Sequence, residues 1–429
     1  MEPEVETRGR RNAFVFLGAL LLVLGVALPH PPFFAAGASL LAYLVASLAY
    51  VHRAIRRVGA VRLAPSTAFE GDDVEVEVRL TNFGRLPILG VELVDHFTPQ
   101  SVSLVRILVP ERLAPRSIYA LRYAGNCFKK RGRYELGPME VRVSDPLGLF
   151  SERRTFLDPD EIVLYPATVE VGELPAKGSR PAVGTGLSVR ARPGLSPVYR
   201  GVRDYRPGDE PRFIHWALSA RHGKILVRDF DAEVRGELAI FLDLDRANSR
   251  GLGACSTLEY GVKAAASLAA SVARRRVQVG LVWAGSGGVL EIPTGSTRRH
   301  VARILDALVG VKMEGTVRLA DLVREHAGRL SPASSVAIVF AGAPEEPADF
   351  GTIVEGLAQG GHAVLAVLLD RDSFLAVTQE EVGRGARPET ADFARLLAER
   401  GAAVSVVSGA RELAGQLDRP WERGAPWTR

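Results

Sequence analysis

Two long apolar runs near the start of the chain constrain its fold more than any other feature. From Ala13 to Leu28 all 16 positions are apolar or Gly, and from Phe33 to Val51 a second run of 19 is broken only by Ser39, Tyr43, Ser47 and Tyr50. At 1.5 Å per residue these reach roughly 24 and 28 Å as helices, against a hydrocarbon core of about 30 Å. Pro29, His30, Pro31 and Pro32 lie between them and stop any continuous helix. The pair therefore reads as a transmembrane helical hairpin. Arg8, Arg10 and Arg11 precede it, Arg53, Arg56 and Arg57 follow it, and the turn has no Arg or Lys. By the positive-inside rule both ends, and the bulk of the chain, face the cytoplasm. A cleaved signal peptide has the same basic start and apolar run, but it would leave the second run and its Arg cluster unexplained.

The remaining length fits about two further modules in a chain of 429 residues. A hydrophobic share of 47% and a charged share of 24% are ordinary for globular sequence and exclude wholesale disorder or a fibrous chain. Basic residues outnumber acidic ones 54 to 49, and only six are Lys. The Arg residues are spread along the chain and not gathered on one face, so no nucleic-acid partner is expected. Cys127 and Cys255 lie far apart and offer neither a disulfide framework nor a Cys-rich metal site.

After the hairpin, Val74, Val76, Val78 and Leu80 alternate with Glu75, Glu77 and Arg79, the period of a half-buried strand. Thr81 to Gly84 reads as a turn, and Ile88 to Val94 and Ser103 to Leu108 as further short strands separated by Pro87 and Pro110. This predicts a β-sandwich over 59–150, serving as spacer or protein-binding module. Two segments close it, Arg131 to Pro138 and Asp145-Pro146-Leu147-Gly148-Leu149-Phe150. The second is expected to make a tight turn that tucks Leu149 and Phe150 against the sheet.

The densest polar segment follows in a connecting region assigned to 151–236. It runs Tyr205, Arg206, Pro207, Gly208, Asp209, Glu210, Pro211, Arg212, Phe213, Ile214, His215, Trp216, then Ser219 and Arg221, with Arg228 and Asp229 beyond. From the residues alone this is a charged network around an indole and an imidazole, with Pro207-Gly208-Asp209 as a turn, Ile214 and Trp216 buried, and Arg212 paired with a carboxylate. His215 as general base or metal ligand is the sharper reading, but no second His and no nucleophile stand at useful spacing.

The segment resembles the hallmark of the bacterial family called domain of unknown function 58, Tyr-x-Pro-Gly-Asp-x-x-Arg-x-Ile-(Asp/His)-Trp-x-x-Ser-Ala-Arg. The 131–138 and 145–150 segments and the hairpin are also similar to that family, so the resemblance extends over nearly the whole chain. It implies a partner class, because family members are associated with MoxR-type AAA+ ATPases, chaperones in the assembly or activation of other proteins.

From Leu238 onward strands and helices alternate. Leu238 to Leu244, Val277 to Trp283, Ser335 to Ala341, Ala363 to Leu369 and Ala403 to Val407 read as strands, and Val289 to Ile292 as a short edge strand after a turn at Gly285 to Gly288. Helices are predicted over 258–274, 298–309, 317–328, 351–359 and 389–400. The pattern predicts a doubly wound, mostly parallel sheet over 237–415, with an exposed tail over 416–429. This module resembles a von Willebrand factor A domain. In metal-binding members the first strand ends Asp-x-Ser-x-Ser; here Asp243, Asp245 and Ala247 stand in those places, and Phe340-Ala341-Gly342 replaces a later Ser-Asp pair. The two losses count against Mg²⁺, leaving Asp243 and Asp245 as the residues that would take a cation or an Arg partner. Gly285-Ser286-Gly287-Gly288 lacks the Lys-Ser/Thr of a phosphate loop and reads as a hairpin turn. Gly184-Thr185-Gly186 opens a loop or crossing segment.

The sequence as a whole predicts an α+β multidomain protein: membrane hairpin, β-sandwich and von Willebrand factor A-like domain. The expected function is that of a membrane-anchored cytoplasmic adaptor without chemistry or cofactor of its own, in contact with the lipid bilayer and a MoxR-type AAA+ ATPase. The alternatives are a hydrolase organised by His215, Asp209 and Asp243, or a binder of nucleic acid or lipid surface through the Arg excess.

Overall fold

The computed structural model describes residues 3–28, 31–156, 160–172, 192–193, 199–205, 209, 211–232, 236–275, 277–331, 334–375, 388–409 and 411–418. The chain divides into two compact units, Met1–Tyr165 and Pro166–Arg429. The strands Ser151–Phe156 and Asp160–Tyr165 pair into the sheets of the first unit.

The first unit opens with helices α1 (Pro3–Ala27) and α2 (Pro31–Ile55), both apolar enough to cross a membrane over Gly9–Ala27 and Pro31–Ile55. Glycines allow them to touch: a Cβ on Gly37 would come within 2.8 Å of the Gly18 carbonyl and the Leu22 amide. Small residues of this kind bring membrane helices together where no hydrophobic gain is available between them. Of the expected turn residues, Pro29 and His30 lie outside the described residues, while Pro31 and Pro32 open α2, where the missing proline N–H groups cost no helical bond.

Ten strands follow: β1 (Val58–Leu63), β2 (Thr67–Phe69), β3 (Asp73–Asn82), β4 (Val91–His96), β5 (Leu104–Leu108), β6 (Ile118–Asn126), β7 (Gly132–Leu136), β8 (Met139–Ser144), β9 (Ser151–Phe156) and β10 (Asp160–Tyr165). They fall into three sheets, β1-β3-β6, β2-β10-β7 and β5-β4-β8-β9, antiparallel except for β2 with β10. β3 alternates as its sequence requires, burying Val74, Val76, Val78 and Leu80 in a core shared with Val91, Leu93, Val141 and Ile162. Inside that core sits an ion pair. Arg62 Nη1 donates to Asp95 Oδ1 at 2.6 Å, Arg62 Nη2 to the Leu136 carbonyl at 2.9 Å, and the Tyr123 hydroxyl to Asp95 Oδ2 at 2.7 Å. Burial and the neighbouring Asp95 charge raise the Tyr123 hydroxyl above its ordinary range. Removing one partner of such a buried pair costs about 3–5 kcal/mol.

In the second unit β11 (Arg192–Pro193) and β12 (Tyr199–Asp204) flank β13 (Leu226–Ala232) in a small antiparallel sheet, and helix α3 (Trp216–His222) lies between β12 and β13 in sequence. The main body has β14 (Glu237–Leu242), a two-stranded ribbon of β15 (Gly251–Leu252) and β16 (Cys255–Ser256), then α4 (Thr257–Arg274), β17 (Gln278–Gly285), β18 (Gly288–Gly295), α5 (Arg298–Gly310) and α6 (Leu319–Ala327). It ends with β19 (Ser335–Phe340), α7 (Pro347–Gln359), β20 (Ala363–Asp370), α8 (Pro388–Glu399), β21 (Ala403–Ser408) and α9 (Ala414–Leu417).

The six-stranded sheet runs β18-β17-β14-β19-β20-β21, parallel except for β18 at the edge. Its central strands are apolar on both faces because helices cover both. Phe241, Ile338, Phe340, Ala366 and Leu368 share a core with α6, α7 and α8, where Phe340, Phe350 and Phe393 pack edge to face at 4.9–6.3 Å. On the opposite face Gly261 of α4 lies against Leu242, Val339 and Leu369. Gly285 pairs with Gly288 across the Ser286-Gly287 turn, the hairpin that the sequence indicated. Gly184-Thr185-Gly186 and the tail from residue 419 lie outside the described residues.

Candidate functional site

The signature segment is built on the β12–β13 pair. Tyr205, just past β12, donates its backbone N–H to the Ile225 carbonyl at 3.0 Å, and His215 donates its own to the Leu226 carbonyl at 2.8 Å. These bonds pin both ends of the 205–215 excursion to the start of β13. Asp209 is gripped by Arg203 of β12 in a two-pronged pair, Nη1 to Oδ2 at 2.7 Å and Nη2 to Oδ1 at 2.6 Å. That geometry fixes orientation as well as charge. Beyond it Arg212 stands in a 3-10 turn, Pro211–Phe213. Arg206, Pro207, Gly208 and the side chain of Arg212 lie outside the described residues, so the pairing expected of Arg212 does too.

His215 is the N-cap of α3: its Nδ1 accepts from the Leu218 amide at 3.3 Å. Ser219, one turn on, donates its hydroxyl to the His215 carbonyl at 3.0 Å and accepts from the Leu226 amide at 2.9 Å. Positions 215, 218 and 219 thus form the inner stripe of this short helix. Trp216, Ala217 and Ala220 are left outside by the 3.6-residue period. The expected burial of Trp216 is corrected accordingly: its indole is 67% exposed. Tyr205 at 40%, just past β12, and Ile225 at 47%, just before β13, add exposed apolar surface at the joined ends of these strands, while Arg221 and Arg228 are exposed as well. Sequence reasoning missed Arg203, which lies six residues before its partner with nothing local to single it out.

The second candidate lies at the carboxyl ends of β14 and β19, where the strand order reverses and open α/β sheets place their ligands. Asp243 follows β14 and is 6% exposed. Its Oδ1 accepts from the Asp245 amide at 3.0 Å, and its Oδ2 accepts from the Asn248 side-chain amide at 3.0 Å and the Ala341 amide at 3.1 Å. Burial pushes this carboxyl up to about 6 despite those donors. Asp245 caps the 3-10 turn Arg246–Asn248, accepting from the Ala247 amide at 2.9 Å, and pairs by backbone with Gly315. A side chain at Gly315 would meet the carbonyls of Ala284 and Leu244 at 2.7 and 2.9 Å, so this crossing of three segments requires glycine.

The donor chemistry at this crest does not fit a divalent cation. Three of the four lone-pair directions of Asp243 face protein N–H groups, and Ala247 has no side-chain oxygen. Among the described residues no three His, Cys, Asp or Glu groups gather as ligands. His215, Asp209 and Asp243, the residues of the hydrolase alternative, are each bonded to different partners: Leu218, Arg203 and the Asp245–Asn248–Ala341 set.

Residues 201–376 match the family described as protein of unknown function DUF58. Uncharacterized protein YeaD of Bacillus subtilis (strain 168) is 25% identical over 256 residues, which are 58% of this chain and 59% of that protein. The chain thus spans less than two thirds of that relative. Among solved structures, a CARDB domain from Pyrococcus furiosus in complex with di-metal ions is 14% identical, covering 25% of this chain and 86% of that one, with a TM-score of 0.19. A GH20 exo β-N-acetylglucosaminidase from Vibrio harveyi in complex with N-acetylglucosamine is 10% identical, covering 82% and 81%, with a TM-score of 0.18. The matched family region takes in both the signature and the Asp243 crest, while the 131–138 and 145–150 segments fall outside it. The chain carries a DUF58 family domain over residues 201–376.

Proposed function

We propose that this protein is a membrane-anchored, non-catalytic docking protein that presents the β12–α3–β13 surface to a MoxR-type AAA+ ATPase. The observation that supports it is Trp216, a large aromatic residue two-thirds exposed beside His215 and Ser219, whose side chains are bonded to the segment's own backbone. Exposed Trp and Tyr with Arg at the margin is the composition of an interaction hot spot. The α/β body is read as von Willebrand factor A-like. Its order β18-β17-β14-β19-β20-β21 with one antiparallel edge strand supports this, as does the place of Asp243 at the reversal of strand order. The β-rich unit is read as a sandwich-type spacer, and the two apolar helices as a hairpin with both ends in the cytoplasm.

The test is affinity capture of the full chain from solubilised membranes, comparing the native protein with Trp216→Ala. Recovery of a MoxR-type AAA+ ATPase with the native chain and its loss with the variant are expected; equal recovery with both would exclude this surface. A reporter fused behind Arg57 is expected to be active in the cytoplasm, and activity outside the cell alone would overturn the orientation.

A further inference from the structure

The β8–β9 turn, residues 145–150, lies beside the membrane hairpin at a depth that a simple tether does not require. The Tyr43 hydroxyl donates to Asp145 Oδ2 at 3.3 Å, and the Arg11 guanidinium stands over the Phe150 ring at 5.8 Å. Tyr43 is twelve positions along α2 from Pro31, roughly 18 Å at 1.5 Å per residue. Arg11 is seventeen positions from Leu28, roughly 26 Å from the same end of the hairpin. If the hairpin crosses a hydrocarbon core of about 30 Å, both levels, and the turn attached to them, lie inside its near boundary.

The turn is chemically suited to that position. Pro146, Leu147, Gly148, Leu149 and Phe150 carry no charge. The one acid, Asp145, is 3% exposed and accepts from the Leu147 amide at 3.1 Å and the Phe150 amide at 2.6 Å besides Tyr43. The backbone closes on itself, with Gly148 donating to the Asp145 carbonyl at 2.9 Å and Asp145 to the Phe150 carbonyl at 3.1 Å. Non-helical backbone at membrane depth is tolerated where its polar groups are satisfied within the protein. Leu149 packs inward and Leu147, 51% exposed, does not.

We infer that turn 145–150 is a wedge inserted into the near leaflet beside the hairpin, with Leu147 among the acyl chains just below the headgroups. The inference rests on the proposed reading of the hairpin as membrane-spanning. The occupant of the exposed Leu147 surface is then the lipid of that same bilayer, continuous with the lipid around α1 and α2, and the β-rich unit is held against the membrane at a fixed height.

Nitroxide labels on the full chain in phosphatidylcholine–phosphatidylglycerol vesicles test both readings separately. In a Cys255→Ser background, single variants Leu147→Cys, Val23→Cys and Val102→Cys are labelled and their collision rates with oxygen and with a water-soluble nickel chelate compared. Val23 is an exposed residue of α1, and Val102 an exposed residue of the loop beyond the His96 end of β4, away from the Ser144 end. Expected is a deep label at 23, a label just inside the headgroups at 147 and an aqueous one at 102. A deep label at 23 with an aqueous one at 147 would overturn the wedge while leaving the hairpin intact. An aqueous label at 23 would overturn the spanning reading and the wedge with it.

Discussion

The Asp243 crest and the β12–α3–β13 signature use similar residues to opposite ends. At the crest the carboxylate is buried and every donor it meets belongs to the loops it holds, so the site is closed on itself. In the signature the Arg203–Asp209 fork and the His215 and Ser219 bonds also point inward, but they leave an indole in solvent. A polar cluster thus marks function only when something chemically costly remains uncovered once its hydrogen bonds are counted. By that criterion the signature is the proposed interaction surface, and the crest is a joint of the sheet.

The largest effect expected from breaking this contrast is at Asp243. Asp243→Ala leaves the buried amide of Ala341 unpaired, at about 1–3 kcal/mol, and with it the part-buried amide of Asp245 and side-chain amide of Asn248. A loss of about 3 kcal/mol is expected in thermal or denaturant unfolding at pH 5. The same variant should remove a pH dependence. Because the folded carboxyl sits at about 6 against an ordinary 3.8, the folded state holds the proton more tightly. Stability should therefore fall as pH rises from about 4 to 6, by about 3 kcal/mol, and the slope should vanish in Asp243→Ala. A flat profile in the native protein would contradict the burial of this group.

Next in size is Trp216→Ala, expected to weaken capture of the ATPase about 30-fold, or about 2 kcal/mol, while moving unfolding by less than about 0.5 kcal/mol. A large loss of stability would instead mean that the indole is packed. His215→Ala removes an N-cap bond and should cost about 1 kcal/mol, with His215→Asn restoring most of it. If His215→Ala stayed folded but abolished a measurable turnover, the hydrolase alternative would replace docking. Smallest is calorimetric titration with Mg²⁺, where no stoichiometric heat is expected; tight one-to-one binding would reopen the crest as a metal site.

Much of this architecture was legible in the order of residues. Leu238 to Leu242 and Ala363 to Leu369 are too continuously apolar for anything but strands covered on both faces, and the alternation Val74 to Leu80 set the inner face of β3. Less was legible in β9 and β10. Ser151–Phe156 is mostly exposed and its sequence Ser-Glu-Arg-Arg-Thr-Phe has no buried face, so only its pairing with β8 makes it a strand. The Arg62–Asp95 pair was hidden because its members are 33 residues apart and each resembles a solvated charge. Trp216 was misjudged for a related reason: aromatic residues usually pack, and only the capping role of His215 sets the helical phase that turns the indole outward. At Asp243 the strand pattern located the acid in the sheet but not its three donors, two of them backbone amides that no side-chain pattern reports.

Site-specific photo-crosslinking in intact cells tests the contrast most directly, with benzoylphenylalanine replacing Trp216 in one variant and Arg246, exposed on the crest loop, in another. The expected result is an adduct with a MoxR-type AAA+ ATPase from position 216 and none from position 246. An adduct from 246 with none from 216 would place the interaction surface at the carboxyl ends of the sheet and contradict the docking role of the signature.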